Sequence, residues 1–398
     1  MKTTSTLIVR NSLLLFATIF AFCSMRATAQ TKVAAPRITQ AIDEAKLVPM
    51  HARVHPLARP EFDRGVVADS QPMNRMLLLL QRTPEQEKAL RNLMDEQQTK
   101  NSPNYHAWLT PAQFGQQFGV ADADIQKVTD WLSQKGFTGI KVGPGHMAIE
   151  FSGTVGLVRN AFHTEMHSFM VNGEQHMANV SVPRMPAALA PVISAVHSLH
   201  NFRKKSFMHY SQALTRAKAK AASEGSQFTF ASVCGTAPAT QPCAAVGPAD
   251  FAKIYNIPAG LDGTGQTIAI VARSNINVQD VIDFRTGFGL ANPTTSFTAP
   301  NNIVLNGPDP GIIPGDDGEA TLDVEWSGAV APNATIKLVV SDGTLTTSFA
   351  DGVDLSALYI VENNLAPIMS ESFGLCELFT SDQFDSSLWE QAASQGIT

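Results

Sequence analysis

The hydrophobic positions of this chain form two patterned regions, residues 48–202 and 246–398. Between them, in residues 203–245, Ala, Ser, Gln and basic residues replace large apolar side chains. The first region mixes short apolar runs with segments at helical spacing, which predicts an α+β domain with a small open sheet. In the second region predicted strands and helices alternate, which favours an α/β domain whose parallel sheet carries helices on both faces.

Helix starts are the clearest local signals in the first region. Thr83–Gln86 and Thr110–Gln113 share the pattern Thr-Pro-x-Gln, which combines a capping box with proline at the first helical position. We therefore expect one helix that runs to about Gln98 and a second that begins after Thr110. Further helices are predicted at Ala121–Gln134, Thr154–Phe162 and Pro186–His197.

Strand signals complete the first region, and the strongest surrounds Asn172-Gly173. This dipeptide between two runs of strand-forming residues is typical of a two-residue hairpin turn. Nothing in the first region indicates catalysis, so we interpret it as a structural or regulatory domain. Strands are predicted at Met76–Gln81, Gly139–Val142, His146–Phe151, His163–Val171 and Glu174–Val180.

The second region becomes regular at Thr267. Buried strands are predicted at Thr267–Ala272, Thr335–Val340 and Pro367–Ser370. Helices are predicted at Val278–Phe288, within Gly315–Pro332, at Ser348–Asn363 with Ser348 as candidate cap, and at Asp382–Gln395. A further strand would be expected to follow the last helix, so we interpret the α/β domain as incomplete within these residues.

Chain length indicates the number of domains, and net charge indicates which partners are to be expected. A chain of 398 residues is long enough for two domains with a core each. The net charge of −6 is mild and acidic, whereas a protein whose main partner is nucleic acid is expected to carry a basic surface. We therefore expect no nucleic-acid partner.

Residues 1–29 are predicted to be a signal peptide. Lys2 and Arg10 precede the apolar run Ser12–Cys23, and Ala27-Thr28-Ala29 is a small-x-small cleavage site. A membrane anchor is the alternative, but this run is shorter than the roughly 20 residues that a span requires. No later stretch is long and apolar enough to span, so we expect a secreted, extracellular protein without a membrane partner.

Export would place the remaining cysteines in an oxidising compartment. Cys234 and Cys243 are then expected to close a short disulfide-bonded loop that stabilises the fold by about 2–3 kcal/mol. Cys376 has no obvious mate. It could be buried and inert, could pair between chains, or could have a partner in a missing part of the domain, and the incomplete second region favours the last interpretation.

The candidate chemistry lies in the acidic segment after Gly315. Glu319 and Asp323 are four residues apart, so both carboxylates share one face of the predicted helix. Close carboxylates push their proton affinities apart, which suits one of them to act as an acid or base. A solvated acidic helix face is the plainer alternative.

A metal-dependent hydrolase built on Asp316, Asp317 and Glu319 is another alternative for this segment. The segment lacks the alternating oxygen ligands of a calcium hand. It also has no nearby histidine to complete an ordinary metal site. We therefore predict no metal site in the chain itself.

Three sequence stretches resemble the sedolisin (kumamolisin-like) serine-carboxyl peptidases. Gly318–Trp326, GEATLDVEW, is similar to their acidic catalytic helix, and Val246–Pro258 to the start of their catalytic domain. Ser102–Gly115, SPNYHAWLTPAQFG, resembles the segment that marks their activation prodomain. The resemblance implies a prodomain over residues 48–202, a linker with the processing site over 203–245, and part of a subtilisin-like catalytic domain over 246–398.

The resemblance also implies roles for individual residues. Glu319 would be the general base that activates a serine, and Asp323 would orient it; a carboxylate base implies work at acidic pH. The family's oxyanion aspartate in Gly-Asp-Ser-Gly and its nucleophile in Gly-Thr-Ser do not occur in this sequence. Because these two groups are missing, we expect the chain alone to be inactive. The family's calcium site would likewise lie in a missing C-terminal part.

A substrate-lining strand is implied around Ser370, Ser372 and Gly374, where an extended peptide would pair by main-chain hydrogen bonds. An ordinary buried strand end is the alternative, because Phe373 stands where many members carry tryptophan. At the end of an earlier strand, Ala272-Arg273 replaces the acidic residue of some relatives. An extended carboxylate network behind Glu319 is therefore not expected.

Together these features predict the zymogen of a secreted serine-type endopeptidase. Its partners would be protein or peptide substrates and its own prodomain, acting as an intramolecular inhibitor until acid weakens the contact. The alternative is a binding or inhibitory protein that combines a prodomain with a vestigial half of a catalytic domain.

Overall fold

The predicted signal peptide and most of the predicted linker lie outside the residues that the structure describes. All described residues belong to one unit, Val33–Thr398. The computed structural model describes residues 34–197, 199–206, 208, 246–258, 260–291, 297, 301–344, 347–376 and 382–398, with the backbone of 232–234 and 241–243.

The described part of the N-terminal region contains three antiparallel sheets, of four, three and two strands, rather than the single open sheet expected. The first has the strand order β4-β5-β3-β9 and the second β2-β6-β7, while β1 pairs with β8. The strands are β1 Leu47–Pro49, β2 Asp63–Val66, β3 Pro72–Leu80, β4 Thr138–Val142, β5 Ala148–Thr154, β6 Met166–Val171, β7 Glu174–Asn179, β8 Arg184–Pro186 and β9 Ile193–His197. The helices are α1 Pro84–Gln98, α2 Pro111–Phe118, α3 Asp122–Gln134 and α4 Val155–Phe162, with 3-10 turns at Pro60–Phe62 and Ala187–Leu189.

The local signals of this region are confirmed where they come from backbone chemistry. Both predicted capping boxes form, with Thr83 and Thr110 as the caps. The hairpin between β6 and β7 turns at Asn172 and Gly173, which have φ angles of 51° and 85°. Positive φ at both central positions is what this turn type requires.

The predicted helix at Pro186–His197 is wrong. Its residues form the end of β8, a 3-10 turn and the strand β9. All five residues of β9 are buried, so the strand shows no alternation of apolar and polar side chains. A short apolar run buried on both faces has no periodicity that distinguishes a strand from a helix.

The C-terminal region is built on a parallel sheet with the strand order β14-β15-β13-β16. Its strands are β13 Thr267–Ala272, β14 Ile303–Leu305, β15 Thr335–Val340 and β16 Ile368–Ser370. Its helices are α5 Pro248–Ile254, α6 Val278–Gly287, α7 Asp317–Val330, α8 Gly352–Glu362 and α9 Asp382–Ser394. The three-residue edge strand β14 is not predicted by the sequence, because it is too short to show a pattern.

Helices cover both faces of this sheet. Ile270 of β13 packs in a core with Val324 of α7, while the neighbouring Val271 packs on the other side with Ile360 of α8. Successive strand residues point to opposite faces, so this split follows from the pleat. The α/β architecture predicted for residues 246–398 is therefore observed. Among the described residues, no helix is long and apolar enough to cross a bilayer.

The N-terminal region shares a hydrophobic core with helices α8 and α9. Leu77 and Phe114 belong to the same buried cluster as Val353, Ile360 and Phe384. Polar contacts border this core, including the bond from Gly145 N to the Glu362 carboxylate at 2.7 Å. Separation of the two regions would therefore expose apolar surface on both.

Candidate active site

Helix α7 carries the predicted acidic pair, and two arginines, one buried and one largely buried, hold its ends. At its start, Arg273 at the end of β13 donates to both oxygens of Asp316, at 2.7 and 2.9 Å. At its far end, Arg285 of α6 donates to the carbonyls of Gly328 and Pro332, each at 2.9 Å. These contacts fix the position of the helix against the sheet.

Glu319 and Asp323 lie side by side on α7, at the carboxyl edge of the sheet. Glu319 is only 5% exposed. Asp323 accepts a hydrogen bond of 2.9 Å from Ser372 through Oδ1, while its buried Oδ2 has no hydrogen-bond partner among the described residues. The pair is therefore not the solvated acidic face considered as the plainer alternative.

The environment of Asp323 favours its protonated form. Burial raises the pKa of Asp323 to about 6; the hydrogen bond from Ser372 opposes the shift, and the nearby charge of Glu319 adds to it. Two carboxyl groups in one partly buried site do not readily ionise together. The pair can thus hold a proton under mildly acidic conditions.

The carboxylate of Glu319 accepts a hydrogen bond from the hydroxyl of Ser206, which lies far away in sequence. Ser206 belongs to the two-residue strand β10, Lys205–Ser206, which pairs antiparallel with β17, Phe373–Gly374. Thus the chain itself lays an extended segment beside the acidic pair. Met208 N also donates to the Ser206 hydroxyl at 3.1 Å.

This docking bears on the basic run that begins at Arg203, which is expected to be part of an exposed linker, with a docking patch as the alternative; at residues 203–206 the structure shows docking. The side chain of Lys204 is only 11% exposed, and its Nζ lies 3.0 Å from Asp354, 2.9 Å from Glu371 and 3.2 Å from Asp385. Burial alone would lower the pKa of Lys204, but these carboxylates raise it above its usual value. Four charges in one buried site explain why this basic residue is not in solvent.

Arg203 and the main chain of Lys204 extend the same docking site. Arg203 donates to the carbonyl of Ala350 at 3.0 Å. Arg273 donates to the carbonyl of Lys204 at 2.8 Å, and also to Asp351, the N-cap of α8. Sequence reasoning noted Arg273 only as a departure from relatives and did not anticipate that it links α7, α8 and residue 204.

The three residues of the predicted substrate strand lie at this site. Ser370 ends β16, Ser372 bonds Asp323, and Gly374 is the residue of β17 opposite Lys205. This segment therefore pairs with an extended segment of the chain itself, Lys205–Ser206. Its substrate-binding role stays a prediction.

A groove of about 760 Å³ opens beside the acidic pair. Its walls are mainly apolar, with the polar ends of α7 and β16 at one side. An extended peptide could place an apolar side chain there, next to the two carboxylates. The groove is lined by Val246, Phe251, Ile254, Tyr255, Glu319, Leu322, Asp323, Trp326, Ser327, Val330, Ser370 and Ser372.

The aspartates at the start of the acidic segment are engaged by other groups of the protein. Asp316 is engaged by Arg273, and Asp317 accepts from Gly315 N at 3.0 Å. Within the described ranges, no group of three or more His, Cys, Asp or Glu side chains is arranged to hold a metal ion.

The expected disulfide falls on residues whose side chains lie outside the description. The backbones of β11, Ser232–Cys234, and β12, Gln241–Cys243, pair antiparallel, with Cys234 opposite Gln241. Cys376 is described, and it is a free thiol exposed to solvent. The interpretation of Cys376 as buried and inert is therefore wrong. The predicted helix cap Ser348 is also wrong, because Asp351 caps α8 and the Ser348 hydroxyl bonds Ala350 O.

Comparison with known proteins identifies relatives for most of the chain. Residues 62–202 match the family described as Pro-kumamolisin, activation domain. Xanthomonalisin of Xanthomonas sp. (strain T-22) is 27% identical over 338 residues, and sedolisin of Pseudomonas sp. (strain 101) is 26% identical over 324 residues. Kumamolisin of Bacillus sp. (strain MN-32) is 27% identical over 253 residues.

These alignments cover unequal shares of the proteins compared. They include 82%, 77% and 63% of this chain, in the same order. They include only 38%, 51% and 42% of the three relatives. The chain thus spans about half the length, or less, of the relatives that it matches.

Proposed function

We propose that the chain belongs with the sedolisin-like serine-carboxyl peptidases, to which it is similar over most of its length, and that it is part of the zymogen of a secreted serine-type endopeptidase that acts at acidic pH. Residues 48–202 would be the prodomain, 203–245 the linker that is cut, and 246–398 the first part of a subtilisin-like catalytic domain. The observation that carries the proposal is the pair Glu319–Asp323. Glu319 is buried, and its carboxylate accepts a hydrogen bond from a serine hydroxyl in this structure.

Glu319 is proposed to act as general base. Its Oε2 accepts a hydrogen bond from a serine hydroxyl in this structure, and a nucleophilic serine would need the same contact before it attacks a peptide carbonyl. Asp323, held by Ser372, would orient Glu319 and share its proton. Ser206 is not itself the proposed nucleophile, because it belongs to the segment that fills the site.

The same contacts support an inhibitory role for the N-terminal region. Lys205 and Ser206 occupy the edge of Phe373–Gly374 where a substrate backbone would pair, and Ser206 occupies Glu319. A peptide substrate would have to displace them. The N-terminal region is therefore proposed to be an intramolecular inhibitor, with the processing bond beyond Met208.

The nucleophile and the oxyanion donor are proposed to come from sequence other than these 398 residues, which contain neither a Gly-Thr-Ser nor a Gly-Asp-Ser-Gly motif. Any calcium ion would be bound by residues of that same additional sequence. Protein or peptide substrates and secretion are likewise proposals. They are supported by the relatives and by the predicted leader.

The proposal is tested with two forms of the protein. The 398-residue chain should release no more casein fragments at pH 3–5 than its Glu319→Gln variant. Sequencing of the gene beyond Thr398 should reveal the two missing motifs, and the longer product should hydrolyse casein in acid. Glu319→Gln should reduce that activity by about 10²–10⁴-fold. Undiminished activity would refute the assignment, and a stop codon after Thr398 would favour the binding or inhibitory alternative.

A further inference from the structure

A cluster of three histidines surrounds Phe202, just before the segment that docks beside Glu319. The rings of His55 and His176 both stack on Phe202, with centroids 3.9 and 4.1 Å away. The ring of His200 lies 4.5 Å from that of His55. Three imidazoles and one phenyl ring thus share a single packed site within the N-terminal region.

The contacts of these rings favour neutral imidazoles, although a hydrogen bond to the Asn201 backbone acts in the opposite direction on His176. Leu57 N donates to His55 Nδ1 at 3.2 Å, so this nitrogen must keep its lone pair. The buried Nδ1 atoms of His176 and His200 have no hydrogen-bond partner in the part of the chain described. A proton added to Nδ1 of His55 would break the hydrogen bond from Leu57 N. A proton added to Nδ1 of His176 or His200 would create a buried N–H donor without an acceptor.

The charged groups around the cluster are mixed in sign. Arg53 faces His55, Arg203 faces His200 and Lys205 faces His176, and each disfavours a second positive charge. On the other side, Glu174 faces His176 and Asp354 faces His200, where His197 also lies. Burial is the largest influence on all three rings. It lowers the pKa of His55 to about 4, lowers the pKa of His176, and lowers the pKa of His200 well below its usual value.

We propose that His55, His176 and His200 form an acid-sensitive latch, which holds residues 203–206 docked beside the acidic pair while the rings are neutral and loosens that segment when they are protonated. The physical link is short, since Phe202 and Arg203 are adjacent and Ser206 follows within four residues. The inference does not depend on the peptidase activity proposed above, because it concerns only the opening of this segment.

The sign of the effect follows from linkage. A histidine whose pKa is lower in the folded state contributes stability that is complete above its unfolded pKa of about 6.5 and is lost as the pH falls toward the folded value. For His55, the opening equilibrium should rise about twentyfold between pH 7 and pH 5. Glu362 and Glu371 act in the opposite direction, because burial raises the pKa of each to about 7. The test must therefore compare variants rather than a single pH profile.

The experiment is hydrogen–deuterium exchange on the full chain, with opening constants for residues 199–206 obtained at pH 7 and pH 5. The measured quantity is the ratio of the two constants. His55→Phe keeps a ring to stack on Phe202, whereas His55→Asn keeps an acceptor for Leu57 N. Both remove the titrating group, so both should lower the ratio about twentyfold, whatever they do to stability at pH 7.

His163→Asn is the matched control. His163 is exposed and has a φ of 51°, a backbone conformation that asparagine adopts readily. Its ratio should equal that of the unmodified chain. Ratios that stay unchanged in both His55 variants would overturn the latch, as would an equal decrease in the control.

Discussion

The hydroxyl of Ser206 donates a hydrogen bond to the carboxylate of Glu319, across 113 positions of sequence. This contact joins the segment that follows the N-terminal region to the buried acid of α7. It is accompanied by main-chain pairing with Phe373–Gly374 and by the ion pairs of Lys204. This segment therefore competes with any second alcohol for the same carboxylate oxygen.

Lys204→Met should destabilise the chain by about 3–5 kcal/mol at pH 7, because it leaves buried carboxylates without their cation. Urea unfolding at pH 7 measures this loss. The control is Lys46→Met, since Lys46 is 79% exposed in its ion pair with Asp43 and should change stability by less than about 1 kcal/mol. Equal effects of the two substitutions would contradict the buried site.

Asp323→Asn should flatten the dependence of stability on pH between about 4 and 6. A carboxyl group whose folded pKa is raised contributes stability that is complete below its unfolded pKa of 3.8 and is lost as the pH rises through the folded value of about 6. The variant should therefore gain about 2–3 kcal/mol relative to the parent between pH 4 and pH 7. Urea unfolding at both values measures the gain.

The control for this substitution is Asp130→Asn, on the exposed face of α3, where Asp130 accepts only from Gln126. A relative gain of the same size in Asp130→Asn would show that the pH dependence does not arise at the acidic pair. No gain in Asp323→Asn would show that Asp323 is ionised in the folded state.

Gly115→Ala should destabilise the chain by about 1–3 kcal/mol or more, because the new Cβ would lie 2.1 Å from the carbonyl oxygen of Pro144. Gly287→Ala is the control within another helix. A Cβ at Gly287 would contact nothing within 4 Å, so that variant should be neutral or up to about 1 kcal/mol more stable. Thermal and urea unfolding compare the pair, and a tolerated Gly115→Ala would refute the close approach of α2 to Pro144.

Arg285→Met should destabilise the helix that carries the acidic pair. It would leave the carbonyls of Ala291, Gly328 and Pro332 without their donor, at about 1–3 kcal/mol for each group that stays buried. Arg64→Met is the control, since Arg64 also donates to backbone carbonyls but is exposed. Exchange protection of α7 should fall only in the first variant.

The sequence was sufficient for features that depend on nearby residues. The capping residues Thr83 and Thr110, the turn at Asn172-Gly173 and the acidic helix all follow from backbone chemistry within a few positions. The α/β alternation of the second region was also sufficient to predict the parallel sheet. These signals are local, so tertiary packing did not override them.

The remaining features arise from contacts between distant segments. The basic residues at 203–205 have the composition of an exposed linker, and only the folded chain brings three carboxylates to Lys204. The pattern of strand β9 is hidden by burial on both faces. The geometry of Glu319 and Asp323 was predictable from their spacing, whereas the contacts from Ser206 and Ser372 were not.

The cluster that joins Leu77 and Phe114 to Val353 and Phe384 has a consequence for maturation. Cleavage of a peptide bond between residues 206 and 246 removes the covalent link but leaves intact the hydrophobic contacts that hold the two regions together. Cleavage of the polypeptide and dissociation of the N-terminal region are therefore separate events. The cleaved protein should therefore elute from a size-exclusion column at neutral pH as one species, for as long as these hydrophobic contacts persist.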